Sequence, residues 1–422
     1  MSQLLNGQFM IKGLAIAVTT LMVGTAHAAK TEQQQIQELR QEVEALKSLI
    51  QQQQQVQQQQ QTQIAQVQQA KPAAPASALS SLKSKSGADV SIYGSIRGDA
   101  NYIIKGADDD FNATHKTGTT NVQDKLLATA KVTRLGLDFN TPVGDNKVGG
   151  KVEVDFASGS ENLRIRHAYL TLNNWLFGQT TSNFLSNHAP EMIDFATNIG
   201  GGTTRVPQVR YNYKLAPATE LFVSAEEGNS TGDSLTYRVP NLTAKVTQGF
   251  AEGKGLASAR ALVEHYKSEA ANDDKTGWGA ALGTNYQVAE PLKVSADVSY
   301  VKGNSNYLYG TNNDQAYVVD TNKNIEQNEV IGVQVGATYQ FSPQLRSTLA
   351  YGALFADDGT DFARAANKPG ANEKVQQAWI NFIYSPVKPV DLGIEYINGE
   401  RETFAGEKFS DDRVGFMARY SF

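Results

Sequence analysis

Cationic side chains recur on one row of a two-residue alternation along this chain. Arg97, Arg134, Arg210, Arg413 and Arg419 each stand in a segment where every second residue is apolar, and each belongs to the other, polar set. Arg205 stands nearby, and Lys151 shares its row in "KVEVDF" with Glu153 and Asp155. Guanidinium groups arranged in this way are suited to holding anions, because the arginine fork donates two parallel hydrogen bonds to a carboxylate. At an effective dielectric of 20, a unit pair about 4 Å apart attracts by about 4 kcal/mol, against about 1 kcal/mol in bulk water. Acidic groups in the long run 183–204, Glu191 and Asp194, supply the opposing charge. Other chemistries are poorly provided for. The 422 residues include no cysteine, which removes disulfides, thiolate metal sites and cysteine nucleophiles. His115, His167, His188 and His265 have no spaced serine or aspartate partners of a catalytic kind, so no catalytic residue, metal or cofactor is expected. A net charge of -5 argues against a nucleic-acid partner.

The elements that must carry these residues are strands. "VTRLGLDFN" sets Leu135, Leu137 and Phe139 against Arg134, Gly136 and Asp138. "PQVRYNYKL" sets Val209, Tyr211 and Tyr213 against Gln208, Arg210, Asn212 and Lys214. "ADVSIYGSIRGD", "EVIGVQVGATYQF" and "RVGFMARYSF" repeat the pattern. Alternation of this kind is a strand with one apolar and one polar face. Short connections such as 140–146, 173–174, 215–218, 288–291, 342–344 and 385–390 alternate with long polar ones at 105–124, 183–204, 303–328 and 357–372. Short turns at one end and long loops at the other are the layout of an outer-membrane barrel. Strands are expected to begin near 88, 125, 147, 161, 175, 205, 219, 234, 255, 276, 291, 329, 344, 373, 390 and 411, sixteen in all. The fold class expected is all-β, a 16-stranded antiparallel transmembrane barrel over 88–422 with lipid on the apolar row and water on the charged row. Tyr213, Tyr286, Tyr339, Phe341, Tyr384, Tyr420 and Phe422 gather beside the short turns, as an aromatic girdle does. One segment resists the pattern. If Ala168, Leu170 and Leu172 face lipid, parity places Arg164 and Arg166 there too, which requires a bulge, a subunit interface or a position near the rim.

The first 87 residues are of different material. Lys12, the apolar run 13–24 and "AHA" at 26–28 read as a signal peptide over 1–28. The Gln-rich stretch 29–70 keeps a seven-residue register, with Ile36, Val43, Ile50, Gln57 and Ile64 on one seam position. Leu39, Leu46, Gln53, Gln60 and Val67 occupy the other. That is an α-helical coiled coil with polar middle layers, and its β-branched-then-leucine seam favours two strands. Residues 71–87 form a linker rich in Pro, Ala and Ser.

With those residues in hand, the chain resembles the trimeric Gram-negative porins. "TRLGLDF" (133–139) is similar to their second-strand motif, "RHAYLTLNNWLFGQ" (166–179) to the turn leading into an inward-folded third loop, and "TTRVPQVRYNYKL" (203–215) to the strand leaving it. Phe422 with its alternating aromatics resembles the barrel-assembly signal. The N-terminal coiled coil and linker make the chain most similar to the DcaP-like dicarboxylate porins. The resemblance implies a homotrimeric outer-membrane channel for small anions such as dicarboxylic acids, with 183–204 folded inward as the constriction. It also implies that Arg97, Arg134 and Arg210 stand around that constriction. Where such porins often carry arginine after "FG", this chain has Gln179.

Expected surroundings follow. The barrel contacts outer-membrane lipid and lipopolysaccharide, the N-terminal segment lies in the periplasm, and its coiled coil reaches toward peptidoglycan. Acidic runs at 108–110, 272–274 and 357–361 are solvated loop charge or divalent-cation sites beside lipopolysaccharide. Two other functions compete with a channel: an enzyme carried on a barrel, and a structural tether to the cell wall or adhesin.

Overall fold

An apolar row on every strand can be satisfied in lipid only if the backbone groups of the whole sheet are paired, so the sheet must close on itself. The computed structural model describes residues 82–422 apart from 86, 203, 229–234, 270, 304–306, 312–316, 320–321 and 366–369. The expected signal peptide and coiled coil, and nearly all of the linker, lie outside the described residues.

Sixteen antiparallel strands form the wall. They are β1 (Asp89–Ala107), β2 in two lengths (Asn121–Thr129 and Arg134–Val143), β3 (Asn146–Ser158), β4 (Asn162–Leu172) and β5 (Trp175–Thr181). Next come β6 (Arg205–Ala216), β7 (Thr219–Glu226), β8 (Asn241–Phe250), β9 (Gly255–Ser268) and β10 (Asp273–Ala289). The circuit ends with β11 (Leu292–Lys302), β12 (Glu329–Ser342), β13 (Leu345–Ala356), β14 (Asn372–Val387), β15 (Val390–Thr403) and β16 (Lys408–Ser421). Each pairs with its sequence neighbour, and β16 returns to β1 in a register running from Ser95 opposite Ser421 to Lys105 opposite Asp412. Phe422 completes the seam by exchanging two 3.0 Å backbone hydrogen bonds with Gly94. The eighth strand starts at Asn241 rather than 234, because Leu235–Thr236 pairs separately with β9 and Pro240 has no N–H to give the ladder.

On the outer face, Ile92, Ile96, Leu135, Val152, Leu170, Val209 and Val335 are exposed, as lipid requires. Aromatics cluster beside the short turns, with Trp175 4.8 Å from Tyr211, Tyr339 4.9 Å from Phe341 and Tyr420 6.2 Å from Phe422 between ring centroids.

The inner face is not uniformly polar, contrary to the expected water-lined row. Leu262, Ala281, Val301, Val330, Leu354 and Val375, from β9 to β14, are buried with Phe184, Ile199, Tyr307 and Leu308 in one apolar cluster inside the barrel. Phe184 and Ile199 come from the long loop after β5, which crosses the lumen along this wall. Its anchors are consecutive: Asn183 N–H donates to Glu226 (3.0 Å), Arg260 to the Phe184 carbonyl (2.9 Å), and Ser186 Oγ to Asp297 (2.6 Å). Farther on, Gln334 donates to the Ile199 carbonyl (2.9 Å). Glycines at inward positions make room for it. A Cβ on Gly336 would lie 2.6 Å from Pro190, and one on Gly279 2.8 Å from the Phe184 ring. The loop therefore takes up one half of the interior and leaves the inner faces of β2 to β6 opposite it.

Phe184 is the largest apolar plug in this arrangement. Phe184→Ala is expected to lower stability by about 3–5 kcal/mol, the usual loss for a buried ring. Denaturant unfolding in detergent micelles measures it, and an unchanged midpoint would refute the packed half.

Candidate functional site

Two carboxylates on β3 organise the open half. Glu153 and Asp155 both point inward and are almost fully buried under arginines. Asp155 accepts a forked pair of bonds from Arg164 (2.9 and 2.7 Å) and a third from Arg166 Nη1 (2.9 Å). Glu153 accepts from Arg166 Nε (2.7 Å) and the Tyr93 hydroxyl (2.8 Å), and Arg134 Nε stands 3.3 Å from it. Arg205, where the long loop rejoins the wall at β6, lies within the electrostatic reach of Arg134, Arg164, Arg166 and Glu153. Four guanidinium groups thus face two carboxylates, a formal excess of two positive charges. The Arg134 and Arg164 side chains keep 40% and 37% of their surface open to water.

The parity conflict at Arg164 and Arg166 resolves as a bulge. Glu153 pairs with His167 and Val154 with Ile165, so Arg166 is an extra residue with no opposite number. The inserted residue flips the row. Below it Ala168, Leu170 and Leu172 face out; above it Leu163 and Ile165 face out, and both arginines turn inward.

The remaining expected basic residues are spread around the wall. Lys151 joins the cluster's lower edge, 3.2 Å from Asp138 with its ammonium 4.5 Å from the Tyr93 ring centroid. Arg210, on β6, donates to Gln208 (3.0 Å) and to the Thr181 carbonyl. Arg97 and Arg419 are register partners on β1 and β16. Arg97 pairs with Asp99 (2.6 Å) and donates to the loop carbonyl of Ile193 (2.6 Å), while Arg419 pairs with Asp391. Arg413 is drawn away from water altogether. Its side chain is 0% exposed, paired with Asp411 (2.9 Å) and bonded to the Phe111 carbonyl (2.7 Å), because the first long loop folds in over it.

Neither expected acid stands as a free acidic group on the loop. Glu191 forms a bidentate pair with Arg346 (2.8 Å) on β13, which holds the loop to the wall. Asp194 is 2% exposed and caps the turn Phe195–Thr197 by accepting from Ala196 N–H (2.9 Å). It also accepts from Asn112 N–H of the first loop (2.6 Å). Burial pushes its carboxyl up to about 6, against the pull of Arg413 and these hydrogen bonds. Glu395 receives the Ile193 and Asp194 N–H groups (2.8 and 3.0 Å) and so fixes the loop tip beside Arg97. Among the described residues no group of three or more His, Asp or Glu side chains could hold a metal ion.

Residues 21–422 match the DcaP outer membrane protein family. The chain belongs to that family. It is 67% identical to the outer membrane channel DcaP of Acinetobacter baumannii, whose crystal structure covers 82% of this chain and 100% of its own at a TM-score of 0.78. An anion-selective porin from Comamonas acidovorans has the same fold at 12% identity, covering 79% of this chain and 100% of its own, with a TM-score of 0.54. OmpT of Vibrio cholerae shares it at 15% identity and a TM-score of 0.54, covering 81% and 99%. No curated protein sequence matches the chain. The protein is therefore an outer-membrane channel of the porin kind, and the arginine-lined half is the part of its interior that the loop leaves uncovered.

The first loop braces the third, and His115 is its buried titratable group. The ring lies 5.5 Å from Tyr309, and burial, with the Lys116 and Arg401 charges, pushes it down to about 4. An unfolded imidazole takes its proton near 6.5, so stability is full above that pH and falls as pH drops from 6.5 toward 4. His115→Gln is expected to flatten that fall, measured as the denaturation midpoint between pH 7 and 4. An equal slope in both proteins would exclude His115 as its source.

Proposed function

We propose that the chain forms a passive diffusion channel that prefers small anions, dicarboxylates among them. The observation that carries this reading is the excess of guanidinium over carboxylate on β2 to β4 and at Arg205. Arginines with open faces recruit carboxylates by forked hydrogen bonds, and water around them keeps each contact weak enough for release. The Comamonas acidovorans porin, which shares the fold, is anion-selective. A signal peptide, an N-terminal periplasmic coiled coil touching peptidoglycan, and contact with lipopolysaccharide complete the proposed setting.

The channel is further proposed to be a homotrimer. Among the described residues, Asn121–Thr129 has a ladder partner in β1 alone, since β3 pairs only with the Arg134–Val143 length of β2. Beside that unpaired edge Leu126, Leu163 and Ile165 are exposed. A second copy covering both would satisfy the edge and bury the leucines.

Two outcomes test these readings. Removing one open charge by Arg134→Gln should lower the chloride-over-potassium permeability ratio. About 1 kcal/mol of lost attraction, the figure for 4 Å in bulk water, corresponds to roughly a five-fold drop. Reversal potentials in planar bilayers measure it, and a parent channel that favours potassium would overturn the anion reading. Leu163→Arg should shift native mass from trimer toward monomer, whereas an intact trimer would place the interface elsewhere.

A further inference from the structure

The bulged arginine is more enclosed than Arg134 or Arg164. Arg166 keeps only 11% of its side chain exposed and bonds to both carboxylates, through Nε to Glu153 (2.7 Å) and Nη1 to Asp155 (2.9 Å). Arg134 and Arg164 each pair with one of those carboxylates and keep an open face. Register sets their separation. Arg134 lies opposite Asp155 on β3, and Asp155 lies opposite Arg164 on β4, so the two arginines flank one strand. Two strand spacings put their Cα atoms about 10 Å apart. A solute with two anionic ends can engage both faces, while one with a single charge engages one.

We propose that Arg166 is a positioning residue for discrimination between dianions and monoanions, an inference that rests on the anion-channel reading above. Its fork ties Glu153 to Asp155, so neither carboxylate is free to swing over and cover the open faces of Arg134 and Arg164. Its charge also takes up carboxylate charge that would otherwise draw those two arginines down onto the wall. Lysine in its place carries the charge without the planar fork and cannot bridge both acids in the same way. The strand needs the extra residue for this, because a regular β4 could not turn Arg164 inward with Arg166 between it and His167.

The test uses the full-length channel in planar bilayers, with sodium succinate and sodium acetate as the probes and the succinate-to-acetate permeability ratio as the readout. Arg166→Lys is expected to lower that ratio several-fold while moving the chloride-over-potassium ratio less than Arg166→Gln does. The double variant Glu153→Gln with Arg166→Gln keeps the formal excess of two charges, and its succinate-to-acetate ratio is expected to stay low. A parental ratio in Arg166→Lys, or its recovery in the double variant, would overturn the positioning role and leave charge alone as the determinant. A parent channel that does not prefer anions fails at the underlying reading instead, and is told apart because the parent alone reveals it. Heat-modifiable migration on gels confirms that each barrel is folded, and if Arg166→Gln does not assemble, Arg166→Lys decides the question alone.

Discussion

In hydrocarbon an unpaired backbone amide has no water to turn to, and this constraint governs the whole chain. It is met at the seam where β16 meets β1, and Phe422 with Gly94 continues the ladder to the last residue. Once the ring is closed, every side chain has only two directions available. The outward row must be apolar, and all polar chemistry is forced into the lumen. The arginines stand together on the inner row because the wall offers them no other place.

A closed ring of this size encloses more volume than its own side chains fill. The third loop divides that volume unequally. Its apolar residues Phe184 and Ile199 pack on β9 to β14, where inward leucines, valines and glycines provide a dry seat. Polar anchors then fix its path: Ser186 on Asp297, Glu191 on Arg346, and the Ile193 and Asp194 amides on Glu395. Buried polar groups are tolerated only when paired, and here the loop backbone supplies much of the pairing. The loop is thus attached on one side by hydrophobic contact and at its tip by hydrogen bonds. This leaves the Arg134 and Arg164 side chains partly open.

The wall was legible in the sequence because period two is a local signal. Strand starts at 175, 205, 219, 255, 329 and 390 agree with the structure to the residue. The interior was less legible. Val330 and Val375 sit on the inward row, but a buried apolar inner face is indistinguishable from noise in the alternation unless one knows what covers it. Inward glycines such as Gly336 and Gly279 were the available trace, since a missing side chain on the water row marks a close approach. Arg413 belonged to the correct row yet lies dry, because the row sets direction and says nothing of which loop folds over it. Glu191 and Asp194 were found as acids of the third loop, but their partners come from β13 and from the first loop, 155 and 82 residues away in sequence.

The bulge on β4 shows how one residue can serve two demands. Lipid forbids arginine outward near the midplane. A cluster of inward arginines with no counter-charge would in turn repel itself and hold any bound anion too long. Inserting Arg166 turns Arg164 inward while Leu163 and Ile165 remain outward, and Glu153 with Asp155 below them absorbs half of the four positive charges. On the proposed reading, the surplus that remains is enough to attract an anion through water and small enough to let it go. Buried carboxylates under the arginines are therefore as necessary to such a passage as the arginines themselves. Their own desolvation is offset by as many as four donors on a single acid, Asp155: Arg164 twice, Arg166 Nη1 and the Ala157 N–H.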